Sequence, residues 1–120
     1  MTVECGVKIN EKIAGIGAIK EKTESDFSKQ KASIPELKDY FQWELGYLYV
    51  SPEYSGKGIA TNIVRLLIES YGKENLMAST EISANPAMVK ILEKFGFRLY
   101  GKPWKSGIHN NHLGLFLKFE

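Results

Sequence analysis

A chain of 120 residues with 16 Lys+Arg against 14 Asp+Glu, 43% hydrophobic residues and one cysteine reads as a single soluble globular domain over residues 1–120, with a core that needs neither disulfide nor metal. Cys5 has no second thiol to pair with and, beside only two histidines, builds no zinc framework, so a reduced, cytoplasmic location is expected. The basic residues are lysines apart from Arg65 and Arg98, and they are dispersed; no apolar run approaches the ~20 residues of a membrane span, so neither nucleic acid nor membrane is expected as a partner.

Residues 2–9 are rich in β-branched and apolar types, Asn10-Glu11-Lys12 breaks the pattern, and 13–19 form a second apolar run, which together predict a β-hairpin. Residues 21–40 are polar and lysine-rich; they read as a mobile excursion in which Ser33-Ile34-Pro35-Glu36 starts a short helix. Phe41 to Val50 concentrates aromatic and β-branched residues and should be a central strand. Pro52 stops it, a glycine-bearing loop follows, and Ile59, Ile63 and Leu67 recur at helical spacing up to Tyr71, where Gly72 closes the helix.

Residues 75–82 form another strand. Asn85 then caps a helix whose first position is Pro86, whose apolar stripe is Met88, Ile91, Leu92 and Phe95, and which Gly96 ends. A strand at 97–100, a loop holding Pro103, Trp104 and Gly107, and a strand at 113–119 complete the chain. This order predicts an α+β fold, a mixed and mostly antiparallel sheet with flanking helices.

The passage SGKGIA, Ser55 to Ala60, joins strand to helix through two glycines that leave amides uncovered at a helix N-terminus, where anions bind. It is neither a nucleotide P-loop nor the dinucleotide fingerprint, since Thr61 stands where the latter wants its third glycine. A tight glycine turn without a ligand explains the same six residues equally well.

The block ELGYLYVSPEYSGKGIA, Glu44 to Ala60, and the later NPAMVKILEKFGF, Asn85 to Phe97, resemble the two signature regions of the GNAT superfamily of acyl-CoA-dependent N-acetyltransferases. In that family a strand ending in hydrophobic-Val-x-Pro leads into Arg/Gln-x-x-Gly-x-Gly/Ala. Here Gly58 and Ala60 fill the last two positions, while Ser55 stands where Arg or Gln is usual. The resemblance covers most of residues 13–119, the excursion at 21–40 matching poorly.

The resemblance implies acetyl-CoA as cosubstrate and a primary amine as acceptor, joined in a ternary complex without a covalent enzyme intermediate. Leu48, Tyr49 and Val50 would offer main-chain groups to the pantetheine arm, and Ser55, Gly56, Lys57, Gly58, Ile59 and Ala60 would hold the pyrophosphate. Asn85 would cap its helix and, on the family pattern, touch the cofactor. A splay between the strand ending at Val50 and its neighbour at 75–82 would form the cleft.

Glu44, six positions before Val50, matches a glutamate that serves as general base in the histone-acetylating branch of the family; an exposed strand glutamate is the plainer alternative. Direct alternation would put Glu44, Leu48 and Val50 on one face unless a bulge intervenes. The family's usual acid, a tyrosine seven residues after the capping Asn, is replaced by Leu92, so Tyr100, Tyr47 and Tyr49 become candidates, with Tyr100 carried as the acid. Glu81, Trp104, His109 and His112 are candidates for the acceptor side, and no metal is called for.

A non-catalytic acyl-CoA-binding module, or a subunit completed by its partner, is the competing expectation. Family members usually place a strand and one or two helices before the hairpin, so the chain reads as an abbreviated version whose acceptor site is covered by the excursion, is covered by a second copy in a homodimer, or stays open to a large acceptor.

Overall fold

The computed structural model describes residues 3–71, 73–107 and 111–120. Strands β1 (Val3–Ile9) and β2 (Lys12–Glu21) form the expected hairpin, tightened to a two-residue turn in which Asn10 and Glu11 both have positive φ, 50° and 66°. That is the turn whose twist suits a hairpin.

Next come two 3-10 turns, Glu24–Phe27 and Pro35–Tyr40, then β3 (Trp43–Val50), helix α1 (Ile59–Tyr71), β4 (Leu76–Glu81), α2 (Pro86–Lys94), β5 (Arg98–Lys105) and β6 (His112–Lys118). The strands make one six-stranded sheet in the order β1-β2-β3-β4-β6-β5. Every pairing is antiparallel except β3 with β4.

Strand alternation sorts the apolar residues onto two faces. Leu76, Ala78 and Phe116 point to the face covered by α1 and α2, where Ile63, Val64, Leu67 and Leu92 meet them. Their neighbours Met77, Leu115 and Leu117 point the other way and pack against Phe27, Ala32, Phe41 and Trp104. Gly15 and Gly17 let α1 lie close on β2: a Cβ built at Gly17 would fall 2.7 Å from Ile63 Cγ2 and 3.0 Å from Leu48 Cδ1.

Two expectations change. The lysine-rich excursion is not a loose loop, because Phe27 and Ala32 are wholly buried in the second core and the main chain of Ala32 bonds Lys102 N. Its helical piece is a 3-10 turn beginning at Pro35. Pro103 and Trp104 lie in β5 rather than in a loop, since an irregular register between Tyr100 and Trp104 lets an edge strand absorb the proline. Gly72, expected to close α1, lies outside the described residues.

Candidate active site

Strands β3 and β4 pair at two rungs, Trp43 with Leu76 and Glu44 with Met77, and then diverge. Beyond the fork lies a cavity of about 260 Å³ walled by Leu45 to Leu48 of β3, Ala78 to Thr80 of β4, and Asn85, Met88 and Leu92 of α2. A slot flanked by an unpaired stretch of strand offers main-chain donors and acceptors to a linear ligand, as an added strand would.

The β3 wall is shaped by a bulge. The register of β2 against β3 slips between Ile16 and Ala18, and Tyr47 takes φ 54°. A non-glycine residue with that φ is uncommon, and it turns the strand's side chains over. Consequently Trp43 and Leu45 face the helices, and after the bulge Leu48 and Val50 face them too. Glu44 faces the other side, which corrects the expectation that it shares a face with Leu48 and Val50.

Glu44 is buried, with 6% of its surface exposed, at the root of the fork. Its Oε1 accepts from Thr23 N–H at 2.7 Å and from Lys20 Nζ at 3.2 Å. Its Oε2 lies along the strand toward Gly46, 4.0 Å from where a Cβ on that residue would stand, and Gly46 belongs to the cavity wall. One oxygen is therefore anchored while the other lies toward Gly46.

Asp26, which sequence reasoning missed, sits beside this carboxylate in the first 3-10 turn, 5% exposed. It pairs with Lys31 at 3.4 Å and lies near Ser79, another residue of the cavity wall. Burial first, and the charge of Glu44 second, push its carboxyl above the ordinary value of 3.8. The only signal in the sequence was an aspartate flanked by Ser25 and Phe27 in a polar run, and nothing local marks it as buried.

The loop before α1 has the open geometry an anion needs. Gly56 and Gly58 have φ 77° and 75°, and a Cβ at either would meet nothing within 4 Å. The first bond of the helical ladder runs from Asn62 N–H to Gly58 C=O, so the amides of Ile59, Ala60 and Thr61 precede it and face outward at the positive end of the helix dipole. Lys57 is exposed beside them, and Ser55 turns its hydroxyl back onto Pro52 C=O at 2.9 Å. These residues fit a pyrophosphate: uncovered donors, one cation and no carboxylate between Ser55 and Ala60.

The remaining candidates divide. Asn85 accepts from Met88 N–H at 3.3 Å as the cap of α2 and also lines the cavity. Leu48 is in the wall, whereas Tyr49 and Val50 pair with Ile16 and Gly15 further along β3. Leu92 is buried at the cavity floor. Tyr100 is not brought to the cleft: it lies on β5, two strands beyond β4, with its ring 5.5 Å from that of Phe119.

Tyr47 is instead the tyrosine in the cavity wall. Trp104 is 8% exposed in the second core rather than in an acceptor pocket. Glu81 accepts from Asn111 Nδ2 at 3.1 Å, and His112 is exposed at the start of β6, so neither reaches the fork. His109 lies outside the described residues. Among the described residues no cluster of His, Cys, Asp and Glu could hold a metal ion, and no helix is long and apolar enough to cross a membrane.

No curated protein matches the chain in sequence. Solved structures with the same fold include the ribosomal-protein-S18-alanine N-acetyltransferase from Escherichia coli, at 14% identity and TM-score 0.69, covering 98% of this chain and 68% of that one. A GNAT-family acetyltransferase from Streptococcus pneumoniae matches at 20% identity and TM-score 0.70, covering 98% and 65%. A putative acetyltransferase from Salmonella typhimurium, solved with its cofactor acetyl-CoA, matches at 20% and 0.68, covering 95% and 62%. The chain thus spans about two thirds of the length of these structures. The model of the acetyltransferase (GNAT) family matches residues 2–97. With the forked sheet, the open glycine loop and that match, the chain belongs to the GNAT acetyltransferase family.

Proposed function

We propose that the chain transfers an acetyl group from acetyl-CoA to a primary amine by direct attack in a ternary complex, with Glu44 as general base. The observation that carries this reading is the fork itself: a slot opens at the rung where a buried, anchored glutamate stands. When bound, acetyl-CoA supplies an activated acyl thioester.

The chain's own residues do the rest. Amides from Gly56 to Ala60, with Lys57, hold the pyrophosphate, and the β3 main chain from Leu45 to Val50 aligns the pantetheine arm. A β3 amide near Val50 polarises the thioester carbonyl, as a preorganised donor does where charge develops. Glu44 takes a proton from the acceptor ammonium at Oε2 while Thr23 N–H and Lys20 hold Oε1. Tyr47 or water returns a proton to the departing thiol.

Leu92 favours a second reading, a module that binds acyl-CoA without turning it over, because an apolar side chain fills the floor where the family's acid usually stands.

Two measurements decide. Acetyl-CoA should raise the melting temperature by mass action; no shift would sink both readings. Thiol release across a panel of primary amines should be cut by Glu44→Gln roughly 100-fold or more, the range of general base catalysis. Unchanged turnover removes Glu44 as base, and no thiol release from the parent protein with any amine leaves the binding module.

A further inference from the structure

The residue closest to the proposed base is itself a primary amine. Lys20 Nζ donates to Glu44 Oε1 at 3.2 Å, to Thr23 Oγ1 at 3.1 Å and to the main-chain carbonyl of Glu21 at 3.2 Å. It lies 5.6 Å from the ring centre of Tyr47. Carboxylate, hydroxyl, carbonyl and aromatic face together form the kind of nest that recognises an ammonium group.

The stem of Lys20 runs toward the cleft. A Cβ built at Gly46 would fall 3.2 Å from Lys20 Cε and 3.6 Å from Cδ, so the lysine lies across β3 only because residue 46 has no side chain. Gly46 and Tyr47 are both cavity-wall residues. The amine stands within hydrogen-bond reach of Glu44 at Oε1, the distance from which an ammonium can give that carboxylate its proton.

The geometry points to Lys20 as an acetylation site that the chain modifies itself, its amine taking the acceptor position in cis. This rests on the reading of Glu44 as base of an acetyl transfer. Glu44 accepts a proton from the Lys20 ammonium, and the freed amine forms the Nζ–acetyl carbon bond. The thioester carbon–sulfur bond breaks and the thiolate leaves with the electron pair; the second proton of the attacking nitrogen passes through Tyr47 or water to that thiolate, and the proton held by Glu44 goes to solvent. The product is a neutral amide beside Glu44. The modification therefore deprives the buried carboxylate of its ion-pair partner.

The test is site-resolved mass spectrometry of the purified chain after incubation with acetyl-CoA, with the exposed Lys102 as internal reference. Lys20 should gain an acetyl group faster than Lys102, and Glu44→Gln should slow Lys20 roughly 100-fold while leaving Lys102 unchanged. Acetic anhydride on the protein without acetyl-CoA should give the reverse order, because the Lys20 side chain is only 19% exposed and already paired. Lys20→Arg, which keeps the charge, should fold as the parent does and lose the modified peptide.

Equal rates at the two lysines, or a Lys20 rate indifferent to Glu44→Gln, overturns the inference. If acetyl-CoA raises the melting temperature and an external amine is acetylated while Lys20 is not, only this inference fails. If acetyl-CoA produces no melting shift at all, the functional reading fails with it.

Discussion

The two faces of the fork are built by different means. On the donor side, the strand, the glycine loop and α1 are consecutive in the chain, from Trp43 to Tyr71, and their geometry follows from local rules: a proline stop, two glycines at positive φ, a helix start. On the side proposed for the acceptor, Glu44 is anchored by Thr23 and Lys20, Asp26 lies near Ser79, and the excursion is held at Ala32 by the Lys102 N–H of β5; none of these partners is a sequence neighbour. On the proposed function, cofactor recognition is encoded in one segment, whereas the acceptor side depends on the whole sheet being assembled. Damage to the core should therefore cost acceptor chemistry before it costs acetyl-CoA binding.

Phe27→Ala is the sharpest way to break this contrast. Phe27 is fully buried, stacks against Phe41 at 5.7 Å and anchors the excursion, so its truncation should cost about 3–5 kcal/mol in urea denaturation. The acetyl-CoA melting shift should survive while amine turnover falls. If both vanish together, the two sides are not separable.

Gly58→Ala attacks the other side. The new methyl would strike nothing, so the cost is the left-handed backbone alone, about 1–2 kcal/mol. Acetyl-CoA binding by calorimetry should weaken, with the hydrogen-bonded cluster around Glu44 undisturbed. Asn85→Ala comes next: loss of the cap of α2 should cost about 1 kcal/mol of stability. A larger fall in acetyl-CoA affinity than in stability would assign Asn85 a ligand contact as well as its capping role.

The smallest effect expected is that of Asp26→Asn, and it depends on pH. Burial, reinforced by Glu44, raises the Asp26 carboxyl above 3.8, so between 3.8 and the raised value the folded chain retains a proton that the unfolded chain has released. Asp26's contribution to stability therefore falls as pH rises through that window. The asparagine variant should gain on the parent in urea midpoint at neutral pH, an advantage that disappears below pH 3.8. A variant that is destabilised at neutral pH would mean that the Lys31 and Ser79 contacts outweigh burial.

The same division explains what could be read in the sequence. SGKGIA, the Asn85-Pro86 start and the Gly96 stop are legible because capping, proline geometry and positive φ act within a few residues. A bulge in β3 was allowed for but its place at Tyr47 was not legible, because slipping one residue depends on how β2 pairs with β3, and that slip moved Glu44 to the opposite face. Asp26 and Lys20 were hidden for the same reason: each becomes part of the site only when strands distant in sequence meet. Trp104 was misplaced because an aromatic between Pro103 and Lys105 has loop-like neighbours, yet it fills a core assembled from the excursion and β6.

Joined by only two rungs, β1-β2-β3 and β4-β6-β5 are mechanically two three-stranded leaves sharing a short spine. Such leaves should open as separate cooperative units, with amides of β3 beyond Glu44 and of β4 beyond Met77 exchanging with deuterium sooner than those of β2 or β6. A linear ligand lying in the slot would act as a missing strand between them. Its arrival should then be felt as a change in exchange on both leaves at once, a stitch that makes one sheet out of two.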